Sequence, residues 1–442
     1  MRPVPTSISK KLKPIHLAAI IFLTVSGGPY GIEPLLYFAG NHAALLLLIL
    51  VPLLWDIPTI FTVLELNSMM PVNGGYYQWV KRAMGKRFAL YEGWWTWLYT
   101  FVDLAIYPVL FVEYAAFFFP QLAAYKIPVC LVIIWLCAAI NILGIMPVGK
   151  ISIVLTAIVL IPFLIFFVLA FSQHHDFSIP HLSLHGVGFS SIGMGLYTVM
   201  WNFLGWDNTT TYAEEVDKPV KSYLTSVGIA FGLVFLIYFV TIVAAQASGI
   251  DYATLKEEGF PALGRLIGGK WLGVILAIGG MASTLGLFSA VLLSVSRVPK
   301  VMADDKLLTE KLSALHPRFN TPYISIIVCA VVVSIMIFWS FEELVVIDVT
   351  LYGAALSLEF VSLIVLRVKA PNEHRPFKIP LNVTGLCLMI LLPLCVYAIA
   401  LTAALKKLGT HPALFAIAIL FTAEIVWQII VWRNPQVATA NS

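Results

Sequence analysis

Long apolar stretches dominate this sequence, and each is about as long as the hydrocarbon core of a bilayer is thick. A membrane-spanning helix needs about 20 mostly apolar residues. Such runs cover residues 15–38, 44–66, 91–119, 128–145, 151–171, 190–213, 223–247, 271–297, 321–340, 345–366, 381–404 and 412–432. In lipid, only helices and closed barrels satisfy their backbone hydrogen bonds, and these runs do not alternate as barrel strands do. The pattern therefore predicts an all-α integral membrane protein of about twelve transmembrane helices.

The composition argues against other broad classes of protein. Of 442 residues, 60% are hydrophobic and 11% are charged, whereas soluble domains are about 25% charged. This is too little charge to coat a soluble surface or to bind nucleic acid. The sequence contains no P-loop and no hydrolase motif, its cysteines lie in apolar runs, and four histidines between 174 and 185 lack supporting ligands. We therefore expect no enzyme activity, no cofactor and no bound structural metal.

Lysine and arginine are unevenly distributed between the two sets of loops. If the N-terminus is cytoplasmic, the inner loops and tails hold 21 of the 27 basic residues, counting Arg297 at the inner end of run 271–297, and no other basic residue falls within a predicted span. Basic loops remain on the cytoplasmic side of a membrane. Residues 1–14 and 433–442 are therefore predicted to be cytoplasmic, in a protein of the plasma membrane or inner cell membrane.

Acidic residues, in contrast, occur within the predicted spans or near their ends. Examples are Glu33, Asp103, Asp207 and Glu359. Ionisable groups at membrane depth are costly, and they usually have a function. Because these groups share one sign of charge, the interior suits a cationic substrate, protons or a metal cation.

Two of the predicted spans are interrupted near their middle. The first contains Ser26-Gly-Gly-Pro-Tyr-Gly31, and the sixth contains Gly205 between Trp201 and Asn208. Glycine and proline disfavour helix, and unwound backbone at membrane depth is tolerated where it lines a cavity or is buried in protein. An odd number of crossings separates the two breaks, so the second half would be inverted relative to the first. Paired breaks of this kind mark the substrate site of many secondary transporters.

The third span carries Tyr99, Asp103 and Tyr107 at intervals of four residues, which places them on one helical face. A carboxylate between aromatic rings suits an amine, through ion pairing and cation–π contact. A packing stripe with a hydrogen-bonded Asp103 would give the same pattern, so both interpretations stay open.

Several motifs together resemble the amino acid–polyamine–organocation superfamily. They are Ser26-Gly-Gly-Pro-Tyr-Gly-Ile-Glu33, Met70-Pro-Val-Asn-Gly-Gly-Tyr76, Asp103…Tyr107-Pro108, Trp206-Asp…Glu215-Val-Asp-Lys-Pro219 and Arg367-Val-Lys-Ala-Pro…Arg375-Pro-Phe-Lys-Ile-Pro380. Within that superfamily, Glu33, Asp103 and the Trp206-Asp207 pair are similar to the polyamine–proton symporter branch.

This resemblance implies a LeuT-type fold of five-plus-five inverted repeats followed by two further helices. In this chain the repeats would be residues 15–171 and 190–366, with the two C-terminal helices within 381–432. The resemblance also implies alternating access driven by a proton or other cation gradient. Many amino-acid carriers place a lysine deep in the fifth span, but here Lys150 lies at the mouth of that span. A carboxylate is therefore expected to carry the proton.

The breaks, the third-span face and the resemblance together identify one set of candidate substrate-binding residues. They are Ser26, Gly27, Gly28, Tyr30, Gly31, Glu33, Tyr99, Asp103, Tyr107, Trp201, Asn202, Trp206 and Asp207. Among them, Glu33, Asp103 and Asp207 are the candidates for proton coupling.

The leading hypothesis is proton-coupled import of polyamines or related cationic amines and amino acids. The alternative is a neutral or cationic amino-acid permease or exchanger, in which the Gly27 and Gly28 amides hold the substrate carboxylate. The paired breaks argue against a receptor or a channel. The expected partners are a small-molecule amine or amino acid and membrane lipid, without nucleic acid, and the oligomeric state is left open.

Overall fold

The computed structural model describes residues 11–173, 182–338, 341–407 and 411–434. Within these ranges the regular structure is helical, apart from one isolated β-bridge between Leu12 and Val216. The α-helices are α1 Pro14–Val25, α2 Pro34–Val51, α3 Ile57–Met69, α4 Gly75–Met84, α5 Lys86–Ala116, α6 Lys126–Ile142, α7 Ile145–Gln173, α8 Phe189–Trp201, α9 Pro219–Ala247, α10 Tyr252–Gly268, α11 Lys270–Val295, α12 Arg297–Asp304, α13 Tyr323–Met336, α14 Phe341–Lys369, α15 Val383–Lys407 and α16 His411–Arg433. Short 3₁₀ segments lie at Pro120–Tyr125, Asn208–Glu215 and Glu310–Ser313, and a π-helical turn lies at Pro52–Asp56.

Nine helical stretches in the described part of the chain are long and apolar enough to cross a membrane. They are Pro34–Met69, Lys86–Ala116, Pro120–Ile142, Ile145–Ser172, Pro219–Ala247, Lys270–Asp304, Glu343–Lys369, Val383–Ala403 and Leu414–Arg433. The described part of the chain is therefore helical, and the chain is an integral membrane protein, as its apolar runs predict.

Three of the predicted runs give helices too short to cross a membrane alone. Runs 15–38 and 190–213 contain the two breaks, and their helices α1 and α8 have 12 and 13 residues. Helix α13, within run 321–340, has 14 residues. Gly40, with φ of 68°, marks the boundary between the first two predicted runs inside α2.

The most buried helices lie at the centre of the bundle. In the most apolar 18-residue segment of α5, 83% of the residues are buried, whereas only 17% are buried in the equivalent segment of α16. Helix α5 packs along α14 and α11, and α1 packs against α7, α9 and α11. Large apolar side chains are exposed on α6, α7, α15 and α16, and this surface suits contact with lipid tails.

A buried carboxylate holds the segment between α14 and α15. Glu65 on α3 is fully buried and accepts hydrogen bonds from Arg367 Nη2 at 2.6 Å and from the Ile379 amide at 2.8 Å. Arg375 Nε lies 3.3 Å from the same carboxylate. Removing one partner of a buried ion pair costs about 3–5 kcal/mol, so the two arginines of the Arg367…Arg375-Pro motif stabilise this segment through Glu65.

The start of the chain is tied to the segment that follows the second break. The Leu12 amide donates to the Glu215 carbonyl at 2.9 Å, and the Asp217 amide donates to the Leu12 carbonyl at 3.0 Å. Arg297, at the start of α12, pairs with the Glu215 side chain at 2.8 Å. These contacts hold the ends of the two interrupted helices side by side.

Candidate functional site

The first break separates α1 from α2 by eight residues of irregular backbone. Gly27, Gly28 and Gly31 have φ values of 61°, 95° and 93°, which is the left-handed region that favours glycine. The requirement is strictest at Gly31, where an added Cβ would lie 2.4 Å from the Trp201 ring. The glycines therefore allow the chain to turn while an indole from α8 packs against it.

The second break begins where α8 ends at Trp201, and it lies directly against the first. Asn202 Nδ2 donates to the Gly31 carbonyl at 3.1 Å. The Tyr238 hydroxyl on α9 lies 3.0 Å from the Gly28 carbonyl and 2.9 Å from Asn202 Oδ1. One tyrosine and one asparagine thus join the two breaks into a single unit.

A small central cavity lies beside these joined breaks. Its volume is about 10 Å³, which is room for about one water molecule. Its lining includes six of the predicted site residues, namely Ser26, Tyr99, Asp103, Tyr107, Trp201 and Asn202. No lysine, arginine or histidine of the described residues lines it. An organic substrate would need the surrounding side chains to move apart.

Asp103 is the carboxyl group in this cavity that the sequence identifies. The Tyr107 hydroxyl donates to it and lies 2.6 Å from both carboxylate oxygens, while Trp201 Nε1 lies 3.4 Å from Oδ1. The predicted aromatic face of the third span therefore exists, and it carries a direct hydrogen bond. These are neutral donors, so they leave the charge of the carboxylate uncompensated.

Asp348 is a second carboxyl group in the cavity, and it is not among the residues predicted from the sequence. It lies on α14, is 1% exposed, and its Oδ1 has no hydrogen-bond partner. It interacts electrostatically with Asp103. The sequence feature that could have identified Asp348 is its position inside the predicted 345–366 span, four residues before Tyr352.

The other predicted residues lie around the cavity rather than in its lining. Tyr30 donates to the Leu276 carbonyl at 2.6 Å, and Trp206 Nε1 donates to Asp56 at 3.3 Å. Asp207 lies beyond Tyr352, whose hydroxyl donates to Asp207 Oδ1 at 2.8 Å. Gly27 and Gly28 form the turn behind Ser26, and neither lines the cavity.

Glu33 belongs to a larger, partly open cavity, which we call the vestibule. The vestibule has a volume of about 650 Å³. It is lined by Gly31, Glu33, Glu113, Tyr114, Glu258 and Arg265, among others. Glu33 accepts hydrogen bonds from the Gly31 amide at 2.5 Å and from the Tyr114 hydroxyl at 2.9 Å. Gly31 thus separates the vestibule on one side from Trp201 and the central cavity on the other.

The amide groups of the first break are already satisfied within the chain. The Gly27 amide donates to the Phe22 carbonyl at 2.9 Å, and the Gly28 amide donates to Ser26 Oγ at 3.1 Å. The Gly31 amide is taken by Glu33, as described above. These three amides are therefore not free to bind an external carboxylate.

This arrangement defines the class of protein. Two broken helices meet at a carboxyl-lined cavity inside a bundle of membrane helices, which is the architecture of secondary transporters. Buried carboxyls and aromatic rings offer acceptors and π faces to a cation.

Comparison with known proteins agrees with this class. A family profile described as amino acid permease matches residues 12–423. The polyamine transporter RMV1 of Arabidopsis thaliana is 33% identical over 390 residues, which cover 87% of this chain and 79% of the relative. The polyamine transporter PUT1 of Oryza sativa subsp. japonica is 31% identical over 411 residues, or 92% of this chain and 76% of the relative. The serine/threonine exchanger SteT of Bacillus subtilis (strain 168) is 23% identical over 399 residues, or 86% and 89%.

The chain belongs to the amino acid permease family, and it is a membrane transporter rather than an enzyme. This confirms the resemblance to the amino acid–polyamine–organocation superfamily that the sequence motifs carry.

The close approach of Gly31 to Trp201 yields a prediction. Gly31→Ala should destabilise the protein, because a positive φ costs an L-residue about 1–2 kcal/mol and the new methyl group overlaps the indole. The melting temperature of the purified protein in detergent measures this effect. Gly228→Ala is the matched control, because nothing lies within 4 Å of a Cβ added there. Equal melting temperatures for the two variants would contradict the prediction.

Proposed function

We propose that this permease is a secondary active transporter that imports polyamines or related cationic amines by proton symport. The observation that carries the proposal is the pair of buried carboxyl groups, Asp103 and Asp348, in a cavity without a basic side chain among the described residues. Two ionised carboxylates at membrane depth need positive charge. A protonated amine supplies that charge, and so do protons when the amine is absent.

The filled amides of the first break favour a cationic amine over an amino acid. An amino acid brings a carboxylate, and backbone amides at a helix break are the usual place to hold it. Here Glu33 occupies the Gly31 amide and Ser26 occupies the Gly28 amide. A substrate carboxylate would have to displace these groups and would also approach Asp103. An amino-acid permease or exchanger remains the alternative, supported by the name of the relative SteT.

The names of two relatives support the same substrate class. RMV1 and PUT1 are both named polyamine transporters, and each match covers more than three quarters of both chains. Proton coupling is our inference from the carboxyl groups. The candidates are Asp103, Glu33 and Asp207, to which the structure adds Asp348.

We further propose the LeuT-type arrangement for the bundle, with inverted repeats at 15–171 and 190–366 and two C-terminal helices within 381–432. The meeting of the α1 and α8 breaks supports it. Transport by alternating access would then open the small central cavity to each side in turn. The vestibule would be one route of approach, because it reaches Gly31 at the edge of the breaks.

The proposed orientation places both termini in the cytoplasm of a cell bounded by the plasma or inner membrane, and it puts residues 172–189 outside. The bias of basic residues in the loops supports this orientation. His185, which is exposed, tests it. In a variant without native cysteines, His185→Cys should react with a membrane-impermeant maleimide on intact cells. Reaction only after permeabilisation would reverse the orientation.

Uptake by reconstituted protein tests the proposed substrate. Proteoliposomes with an inward proton gradient should accumulate radiolabelled putrescine and spermidine, and dissipating the gradient should abolish accumulation. Alanine should not be accumulated, because the break amides are filled. Accumulation of alanine without putrescine would favour the amino-acid permease instead.

Replacing either central carboxyl group should weaken amine binding. The loss of one charged hydrogen bond costs about 1.5–3 kcal/mol, or roughly ten- to a hundred-fold in affinity. Asp103→Asn and Asp348→Asn should each raise the dissociation constant for putrescine by that factor. Asp304→Asn is the control, because that carboxylate lies at the surface beside Lys300. Wild-type affinity in both cavity variants would remove the observation on which the proposal rests.

A further inference from the structure

Helices α5 and α14 face each other in a regular register. Asp103 and Asp348 are neighbours at the central cavity. Four residues along each helix, the Tyr99 and Tyr352 rings meet edge to face with centroids 5.2 Å apart. Eleven residues from each aspartate, Glu92 and Glu359 are also electrostatic neighbours. Residue numbers rise along one helix as they fall along the other, so the helices are antiparallel and each pair lies at one level.

A third carboxyl group lies at the level of Glu92 and Glu359. Asp207, from the second break, interacts electrostatically with both Glu359 and Glu92. All three side chains are buried, with exposures of 0% for Glu92, 2% for Asp207 and 1% for Glu359. None of them forms an ion pair with a described basic residue. We call these three residues the inner cluster.

Several polar atoms in and around the inner cluster lack a partner. Glu92 Oε2, Glu359 Oε2 and the hydroxyl of Tyr76 make no hydrogen bond. Tyr76, on α4, is fully buried and interacts electrostatically with all three carboxyl groups. Leaving a buried polar group unsatisfied costs about 1–3 kcal/mol. Acceptors of this number, gathered in one place, fit a ligand that brings several donors and a positive charge.

We propose that Glu92, Asp207 and Glu359 form a second binding site, which takes the primary ammonium group of a substrate after it leaves the central cavity. This rests on the proposed function. An ammonium group has three N–H donors and one positive charge, which complement carboxyl oxygens that have no donor. A metal ion fits less well, because no group of histidine, cysteine, aspartate and glutamate in the described ranges has a metal-binding arrangement.

The inner cluster is separate from the central cavity in two ways. Eleven residues of α-helix rise about 16 Å, which is longer than a putrescine molecule. The Tyr99 and Tyr352 rings lie between the two levels, and Tyr352 donates to Asp207. One short diamine therefore occupies one site at a time, and the two tyrosines form the gate between the sites. In the proposed orientation α4 is cytoplasmic, so the inner cluster lies on the exit side.

Binding stoichiometry of the purified full-length protein tests this proposal. Equilibrium dialysis with radiolabelled putrescine should give two molecules per wild-type chain. Glu92→Gln and Glu359→Gln should weaken one binding event at least ten-fold and leave the other unchanged, while Asp348→Asn weakens the other. Should the glutamine variants fail to fold, Tyr76→Phe is a milder variant, because it removes a single unpartnered hydroxyl. It should weaken the same binding event as the glutamine variants. Asp304→Asn should retain both binding events.

The possible results separate this proposal from the proposed function. If the wild type takes up putrescine but binds one molecule, and the glutamine variants match it in binding and uptake, the inner site is wrong and the proposed function stands. If the glutamine variants keep wild-type binding but lose proton-driven accumulation, the inner cluster stores a proton, which also overturns the proposal. If the wild type neither binds nor transports putrescine, the proposed function itself fails.

Discussion

The structure depends on carboxyl groups that are buried at membrane depth without basic partners in the described part of the chain. Asp103 and Asp348 face each other across a cavity with room for about one water molecule. Their immediate surroundings offer neutral donors, such as the Tyr107 hydroxyl and the Trp201 indole. Such donors orient a carboxylate but do not neutralise it. The proposed function follows from this uncompensated charge, because a protonated amine or a proton would neutralise it.

The two breaks contribute geometry more than charge. Asn202 and Tyr238 join them, and Gly31 lets Trp201 pack against the first turn. Glu33 takes the Gly31 amide and leaves no free donor there for an anion. The site thus combines carboxyl groups in the cavity with satisfied amides at its edge. In the proposed function, this combination is the reason to favour an amine over an amino acid as the substrate.

Local features were predictable from the sequence, and contacts between distant helices were not. The apolar runs and the glycine-rich breaks follow from residue type within short windows. The breaks are found where predicted, and nine of the twelve predicted runs match described helices long enough to cross a membrane. The Asp103–Tyr107 hydrogen bond follows from four-residue spacing on one helix. Asp348 and Glu92 were missed because their importance comes from pairing between α5 and α14, which no local pattern reveals. Tyr30 and Trp206 were placed in the site because they adjoin the breaks, but their side chains turn away and donate to Leu276 and Asp56.

The equal spacing of residues on α5 and α14 has a consequence for how the protein assembles. A slip of one helical turn would set Asp103 against Tyr352, Tyr99 against Leu356 and Glu92 against Leu363. Glu92 would then face a leucine at membrane depth, where an unpaired polar group is costly, and Asp103 would no longer lie beside Asp348. Apolar side chains alone would tolerate such a slip far better. The polar residues thus help to fix the register between two otherwise apolar helices, much as a buried asparagine fixes the register of a coiled coil. A compensating change on one helix would be expected opposite any change on the other.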